Sequence, residues 1–215
     1  MSIARSIILL KSTTMKTLKI ALTGGIACGK SSVSQVFKKL SIPIIDLDVV
    51  AREIVGPNTQ GLSELISHFG NNILNDDQTL DRQALRQQLF ENSANQQIIE
   101  EILHPKILEK MQMDIEKLNT ALVVVEVPLL VEQNLSNLFD RAIVVDCNEQ
   151  NQLERLLKRE KLDEKLAKSM IAAQANREQR LALSEKLPTN IIKNNSEIFE
   201  MEQKAQDLAQ KLLNL

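Results

Sequence analysis

The sequence is short of aromatic residues. It has no Trp and no Tyr, and Phe occurs only 5 times. Proteins that hold single-stranded nucleic acid by stacking its bases on aromatic side chains are therefore disfavoured. Because 43% of the residues are hydrophobic, the core must be almost wholly aliphatic.

Strong net charge, long apolar runs and a cysteine pattern are also missing. With 28 acidic and 26 basic residues the formal net charge is −2, which argues against a nucleic-acid partner. No apolar run approaches the roughly 20 residues that span a bilayer, so no membrane partner is expected. The two cysteines, Cys28 and Cys147, form no metal-binding pattern and no disulfide framework. This predicts a reduced, cytoplasmic protein.

What the chain does have is an alternation of short, β-rich apolar runs with segments of helical periodicity. This alternation predicts an α/β fold in which helices cover a five-stranded parallel sheet. The predicted strands are 18–23, 43–47, 122–128, 142–146 and 190–193.

Long helical segments separate some of these strands. Residues 58–118 hold no strand-like run, and we interpret them as a helical insertion over the active face, in which Pro105 opens a new helix. Residues 151–184 are interpreted as a helical lid, and a last helix is expected to begin with Ser196 as its N-cap. The rest forms the core of a single domain over 16–215, made of 16–57, 119–150 and 185–215.

Residues 1–15 stand outside this domain. Met15 directly precedes the first predicted strand. Residues 1–14 are either a start-site artefact or a natural disordered extension. Their apolar run at 7–10 is too short for the core of a signal peptide.

The strongest motif follows the first predicted strand. Residues 24–31 are Gly-Gly-Ile-Ala-Cys-Gly-Lys-Ser, which match G-x-x-x-x-G-K-[ST] between a strand and a helix. Glycines at such a turn let backbone N–H groups face phosphate oxygens, and the helix N-terminus adds positive potential. Lys30 is expected to reach the β- and γ-phosphates, and the Ser31 hydroxyl to bind Mg²⁺.

A pair of carboxylates ends the second predicted strand. Strand alternation puts Asp46 and Asp48 on the same side of that strand. There, one carboxylate is able to take the proton of an attacking hydroxyl group. The alternative is that Asp48 caps the following helix, and the two roles are compatible.

Four further features have both a functional and a structural interpretation. Glu126, within a valine run, resembles the acidic residue that ends a Walker-B strand, but a buried carboxylate also finds protein partners. The arginines of 155–180 are lid cations for a transferring phosphoryl group or a solvated helix face. His104 belongs to the active face or only to a helix corner. Cys28 is an oxidation-sensitive thiol or an inert replacement for Ser.

Five motifs occur in the order known from one kinase family. They are Leu-Thr-Gly-Gly-Ile at 22–26, Asp-x-Asp-x-x-Ala-Arg at 46–52, His-Pro at 104–105, Val-Pro-Leu-Leu at 127–130 and Ala-Ala-Gln-x-x-Arg-x-x-Arg at 172–180. Together they resemble the dephospho-coenzyme A kinase family, from residue 16 to residue 195. The resemblance implies a three-layer P-loop kinase fold with a helical substrate-binding insertion and an arginine-bearing helical lid.

The resemblance also implies an activity, the ATP- and Mg²⁺-dependent phosphorylation of the ribose 3′-hydroxyl of dephospho-CoA. This last step of coenzyme A biosynthesis gives CoA and ADP. By resemblance Asp48 is the general base, while Lys30, Arg155 and Arg159 act on the phosphoryl group. Dephospho-CoA is expected at Asp48, Arg52, Arg82 and His104. The nucleotide is expected at Gly25, Ile26, Ala27, Cys28, Gly29, Lys30, Ser31, Ser32, Arg177 and Asn194.

Three departures from the family pattern stand out. Ala27 and Cys28 replace the usual Gly-Ser pair, and Ala27 leaves room for close backbone approach if its φ is negative. The segment 184–189, before the last strand, is longer than usual and contains Pro188. The residues before Met15 have no counterpart.

Two other functions remain open. A P-loop kinase for a nucleoside or nucleotide is disfavoured by the Asp-x-Asp-x-x-Ala-Arg element and by the helical insertion. A P-loop regulatory ATPase has no need of Asp48 and the lid arginines, and the Asn-Lys-x-Asp element of GTPases does not occur. We expect small-molecule substrates only, and a monomer or weak homo-oligomer.

Overall fold

Five parallel strands form the sheet of this computed structural model, which describes residues 16–92, 94–160 and 163–215. Their order across the sheet is β2-β3-β1-β4-β5. The strands are β1 (Leu18–Gly24), β2 (Ile44–Asp46), β3 (Leu122–Glu126), β4 (Arg141–Asp146) and β5 (Thr189–Lys193). The parallel sheet predicted from the apolar runs is confirmed. The expectations for residues 1–15 lie outside the described residues.

Helices fill the segments between the strands. They are α1 (Lys30–Lys39), α2 (Leu47–Glu53), α3 (Gln60–Phe69), α4 (Arg82–Glu91), α5 (Ala94–Leu118), α6 (Glu149–Glu160), α7 (Glu164–Ala172), α8 (Arg177–Leu181) and α9 (Ile198–Leu213). Short 3₁₀ turns occur at Asn71–Ile73, Leu135–Leu138 and Ala182–Glu185. No described helix has the length and apolar character needed to cross a bilayer.

A hydrophobic core lies on each face of the sheet. Because side chains alternate along a strand, Val123 and Val125 of β3 belong to one core and Val124 to the other. The first core includes side chains of α2, α3 and α5, and the second includes those of α1 and α9. Burial on both faces explains the continuous apolar strands. Among the described residues only Phe37 and Phe139 are buried aromatics, so the aliphatic core is confirmed.

Helix α5 runs without interruption through Pro105 over 25 residues. The new helix predicted at Pro105 is therefore wrong. Proline has no N–H to donate to the carbonyl four residues earlier, but tertiary packing compensates for this loss. Apolar residues on both sides of Pro105 pack against the same core, namely Ile99, Ile102, Ile107, Met111 and Ile115.

Helix α9 begins later than predicted. Its N-cap is Glu197 rather than Ser196, without a side-chain capping bond. The helix packs through Met201, Ala205, Ala209 and Leu212. Ile198, in the first turn, is left 58% exposed.

The carboxyl ends of the strands meet at one edge of the sheet. Asp46 of β2 is paired with Glu126 of β3, which is also paired with Leu22 of β1. Gly24, at the end of β1, is paired with Val145 of β4. Ligands bind at this edge in open α/β sheets, so the fold brings the predicted site residues of several strands together there.

Candidate active site

The segment between β1 and α1 is folded as a phosphate-binding loop. Gly24 has a φ of 153°, and a Cβ atom at this residue would collide with the carbonyl oxygen of Val145. Gly29 is the N-cap of α1 with a φ of 102°, in the region that favours glycine. The N-terminus of α1 therefore opens into a cavity of about 360 Å³, where it favours an anionic group.

This phosphate cavity gathers most of the predicted nucleotide residues. Its walls are Gly25, Ala27, Gly29, Lys30, Ser31, Ser32, Arg155, Arg159, Asn194 and Ile198. Three predicted nucleotide residues are not part of these walls. The Ile26 N–H donates to Gln174 Oε1 at 2.7 Å, Cys28 is buried, and Arg177 forms an ion pair with Asp146.

Ala27 stands at the turn of the loop with a φ of 59°. The negative φ on which close backbone approach was made to depend is thus not found, and the left-handed region costs a non-glycine residue about 1–2 kcal/mol. Side-chain amides hold the loop on either side of it. Gln174 Oε1 accepts the Ile26 N–H at 2.7 Å, and Asn194 Nδ2 donates to the Cys28 carbonyl at 2.8 Å. Surroundings that hold the flanking residues allow a strained conformation to persist.

Lys30 is held within the loop. Its Nζ donates to the Gly24 carbonyl at 2.8 Å. Burial lowers the pKa of Lys30 from its usual value, whereas the negative charges of Glu126 and Asp48 act in the opposite direction. The ammonium group therefore lies close to two carboxylates, Glu126 at the end of β3 and Asp48 in the first turn of α2.

Asp46, the last residue of β2, and Asp48, in α2, have different roles. Asp46 is the N-cap of α2, and its Oδ1 accepts the Asp48 N–H at 2.8 Å. The predicted placement of both aspartates on one side of a strand is wrong, because the helix begins at Leu47. The alternative role of Asp48 as the helix cap is therefore wrong, because Asp46 is the N-cap. Desolvation raises the pKa of the Asp48 carboxyl group, the Asp46 carboxylate adds to that rise, and Arg52 and Lys30 oppose it.

A second cavity, of about 630 Å³, lies beside Asp48 and is called the acceptor cavity here. Its walls are mostly aliphatic, with Leu47, Ile99, Leu103, Ile107, Val127 and Leu135 among them. His104 is also in the wall, and its Nε2 is buried without a hydrogen-bond partner among the described residues. Arg52 and Arg82 are exposed and are not part of these walls.

The predicted lid arginines are held in three ways. Arg155 donates from Nη1 to the Asn194 carbonyl at 3.0 Å. The guanidinium of Arg159 pairs with Glu160 at 2.7 Å. Arg177 makes two bonds of 2.7 Å to Asp146, whose side chain is 3% exposed. Arg155 and Arg159 thus line the phosphate cavity, whereas Arg177 neutralises a buried carboxylate at the end of β4.

Cys28 and Cys147 form a disulfide, with their Cα atoms 5.4 Å apart. The expectation of no disulfide framework is therefore wrong. Neither interpretation of Cys28, as a reactive free thiol or as an inert side chain, describes this arrangement. The partners are 119 positions apart in sequence, and they meet because the end of β4 lies next to the phosphate loop. Both are 1% exposed.

Several residues without a predicted contact also surround the loop. Gln174 belongs to the Ala-Ala-Gln motif, which assigned it no role. Arg180 was predicted to be a lid cation or part of a solvated helix face, and its burial beside the loop excludes the solvated face. Arg180 is 8% exposed and Gln152 is 2% exposed, and a Cβ atom at Gly25 would lie 2.7 Å from Gln152 Nε2 and 3.0 Å from Arg180 Nη2. In the sequence, Gln152 is one polar residue among many in a helical segment, so nothing there indicated that it is buried beside the loop.

The donor set of the phosphate cavity suits a magnesium ion that arrives with a nucleotide. Within the described residues no group of three or more His, Cys, Asp or Glu side chains could hold a metal by itself. The Ser31 hydroxyl lies in the cavity wall, and the carboxylates of Glu126 and Asp48 are close enough to act on Lys30. Mg²⁺ binds through few protein oxygens together with water and phosphate, so these residues fit the ion.

The fold and the site define a P-loop kinase. The first strand of a parallel sheet leads into a phosphate loop with an inward-facing lysine, and a carboxylate close to that lysine lies in the wall of a second cavity. The chain belongs to the dephospho-CoA kinase family, whose model matches residues 18–200. It is therefore an ATP-dependent kinase that phosphorylates an alcohol group.

Curated relatives and solved structures agree with this assignment. The chain is 42% identical to "Dephospho-CoA kinase" of Vibrio parahaemolyticus, over 91% of this chain and 95% of that protein. It is 37% identical to "Dephospho-CoA kinase" of Shewanella oneidensis, over 94% of this chain and 96% of that protein.

Among solved structures, dephospho-CoA kinase from Campylobacter jejuni has a TM-score of 0.67 and 31% identity, covering 90% of this chain and 96% of that one. TT1252 from Thermus thermophilus has a TM-score of 0.75 and 22% identity, covering 91% and 98% respectively. At that identity the second match supports the fold alone.

Proposed function

We propose that this chain transfers the γ-phosphoryl group of ATP to the ribose 3′-hydroxyl of dephospho-CoA, which produces CoA and ADP. The observation that carries the proposal is the position of Asp48. Its carboxyl group lines the acceptor cavity, and its charge acts on Lys30 in the phosphate loop. A proton acceptor in the wall of one cavity, close to the lysine in the wall of the other, suits in-line transfer to a hydroxyl group. Family membership supports the choice of dephospho-CoA as the acceptor.

The phosphate loop binds the donor. Backbone N–H groups at the start of α1 hold the ATP phosphates, and the Lys30 Nζ leaves the Gly24 carbonyl for β- and γ-phosphate oxygens. The negative phosphates reverse the effect of burial and favour the charged form of Lys30. Ser31 would hold Mg²⁺ through its hydroxyl oxygen. When bound, the ion neutralises part of the phosphate charge.

Asp48 takes the proton of the 3′-hydroxyl as this group attacks. Because the pKa of Asp48 is raised by desolvation and by Asp46, its carboxylate is a stronger base than an ordinary aspartate. Asp46 supports this role indirectly, since its N-cap bond to the Asp48 N–H fixes the first turn of α2.

Cations and hydrogen-bond donors complete the site. Arg155 and Arg159 stabilise negative charge on the phosphoryl group during transfer. The unpaired His104 Nε2 hydrogen-bonds the acceptor, and Arg52 balances its phosphates. The contacts expected for Arg82 with the acceptor and for Arg177, Cys28 and Ile26 with the nucleotide stay predictions. So do the boundaries of core, insertion and lid, a cytoplasmic location, and a monomeric or weakly oligomeric state.

The test is a coupled assay of ADP release. Purified protein is given ATP and Mg²⁺ with dephospho-CoA, with a panel of nucleosides and nucleotides, or with no acceptor. We expect release to depend on dephospho-CoA and the product to carry phosphate at the 3′-position by ³¹P NMR. Lys30→Met is the negative control. Equal ADP release with and without dephospho-CoA, or faster release with a nucleoside, would contradict the proposal.

A further inference from the structure

Residues 173–175, between α7 and α8, connect the two substrate cavities and are called the lid linker here. Ala173 is in the wall of the acceptor cavity. Gln174 accepts a hydrogen bond from the phosphate loop, through the Ile26 N–H at 2.7 Å. The Ala175 N–H donates to Glu132 Oε1 at 2.7 Å, and Glu132 is again in the acceptor wall. Three consecutive residues therefore contact the donor side and the acceptor side.

The lid linker is held in place independently of Gln174. The guanidinium of Arg180 donates to the Ala175 carbonyl, and the Ala175 N–H donates to Glu132. Arg180 is almost fully buried and lies against Gly25 of the phosphate loop. Since both backbone groups of Ala175 are bound, the backbone beside Gln174 has little freedom. The side chain of Gln174 thus reaches the loop from a fixed base.

The bond from Ile26 to Gln174 acts on the strained part of the loop. Ile26 directly precedes Ala27, whose φ of 59° is unfavourable for a residue with a Cβ atom. On the other side of Ala27, the Cys28 carbonyl is held by Asn194. Cys28 is held in addition by its disulfide to Cys147, so that side of Ala27 stays anchored without Gln174. The other side loses its anchor, and the Ile26 N–H loses its partner in a half-buried position. Ile26 and Ala27 are then free to leave the conformation that presents their N–H groups to phosphate.

We propose that Gln174 is a positioning residue for ATP, which holds the phosphate loop in its receiving conformation from the lid linker. It acts through Ile26 and Ala27, and it lies outside the walls of the phosphate cavity. The role rests on the proposed function in that ATP is the ligand of the loop. The expected signature is weaker ATP binding at an unchanged affinity for the acceptor.

The test compares three variants. Gln174→Met has a similar length without the amide, and Gln174→Asn keeps an amide that is too short to reach Ile26. Gln150→Met is the matched control, because Gln150 and Gln174 line one cavity between α6 and α7 but the Gln150 amide donates to the exposed Glu154. The dissociation constant of ATP is measured by calorimetry without an acceptor, and the two KM values are measured by ADP release.

We expect both Gln174 variants to weaken ATP binding roughly tenfold, the equivalent of one hydrogen bond in a half-buried site. The KM for dephospho-CoA and all constants of Gln150→Met should stay within about twofold of wild type. Hydrogen exchange of the peptide 24–31 should become faster in the Gln174 variants only, while the melting temperature falls by no more than a few degrees.

Wild-type ATP affinity in either Gln174 variant would overturn the proposal, and so would an equal rise of both KM values. A wild-type protein that binds ATP but ignores dephospho-CoA would instead refute the proposed function, and the calorimetric comparison would still decide the role of Gln174.

Discussion

Reduction of the disulfide between Cys28 and Cys147 should lower the stability of this protein substantially. The bond closes a loop with a sequence separation of 119 residues, so it restricts the unfolded chain far more than the folded one. The loop-entropy relation gives about 5 kcal/mol at 25 °C for a loop of this length. That amount is comparable to the whole stability of a marginal domain, roughly 5–15 kcal/mol.

Guanidinium unfolding of the oxidised and the reduced protein measures this difference. Far-UV circular dichroism is the appropriate probe, since the chain has no Trp to report unfolding by fluorescence. The oxidised protein should show a higher midpoint and a smaller m-value, because the cross-linked unfolded chain exposes less surface. Thiol titration in denaturant should find no free thiol before reduction and both cysteines afterwards.

The control is Cys147→Ser, which cannot form the bond. Its unfolding curve should be the same with and without reductant and should lie near that of the reduced wild-type protein. Coincident curves for oxidised and reduced wild type would refute the reasoning. So would a titration that finds both thiols free before reduction.

Three further outcomes are expected. Asp48→Asn should lower kcat by about 10²–10⁴-fold at an almost unchanged KM for ATP, and it should remove the acid limb of the pH–rate profile. In wild type, that limb should lie above the ordinary range of aspartate, because the pKa of Asp48 is raised and the base is active only when ionised. Ala27→Gly should raise the free energy of unfolding by about 0.5–1 kcal/mol, as relief of the left-handed strain outweighs the added freedom of the unfolded chain. Arg177→Met should lower it by about 3 kcal/mol, because the buried Asp146 carboxylate loses its partner; denaturant curves measure both changes.

Matched substitutions separate these effects from general damage. Asp207→Asn, on the exposed side of α9, should leave kcat and the pH profile unchanged. Arg86→Met, on the exposed side of α4, should change stability by less than about 0.5 kcal/mol. An Asp48→Asn variant with wild-type turnover would show that another group accepts the proton. An Ala27→Gly variant that is less stable than wild type would contradict the role of backbone strain at the loop.

Local sequence patterns were sufficient to predict the parallel sheet and the phosphate loop. Strands buried on both faces require continuous aliphatic runs, so β1, β3 and β4 are visible as such. The loop needs Gly24 and Gly29 for backbone reasons, and it needs Lys30 and Ser31 for chemical ones, all within eight consecutive residues. When one short segment must meet both backbone and chemical requirements, few residue combinations are possible, so its sequence identifies its structure.

Features that depend on distant parts of the chain were not predictable in this way. Helix α5 continues through Pro105 because a core on one side of it outweighs one missing hydrogen bond. The positive φ of Ala27 depends on anchors from Gln174 and Asn194. The partner of Cys28 is the residue that follows β4, and one cysteine gives no periodic signal. The sequence placed Asp48 beside Asp46 on one side of the second strand. The structure shows that Asp48 belongs to α2, because this helix begins at Leu47.

The uninterrupted α5 also has a mechanical consequence. Its fully buried side chains, Met111 and Ile115, lie in the second half. The first half packs against the same core only through half-buried residues such as Ile99 and Ile102, and it carries His104 in the wall of the acceptor cavity. The second half is thus held more firmly than the first, and Pro105 between them is the weakest point because a backbone hydrogen bond is missing there. A bend of about 10° at Pro105 would displace the first turn of α5, roughly 15 Å away, by about 3 Å. Such a bend would change the width of the acceptor cavity, because Gln96 and Ile99 in the first half of α5 line it, and it would leave Asp48 in α2 and Lys30 in α1 in place.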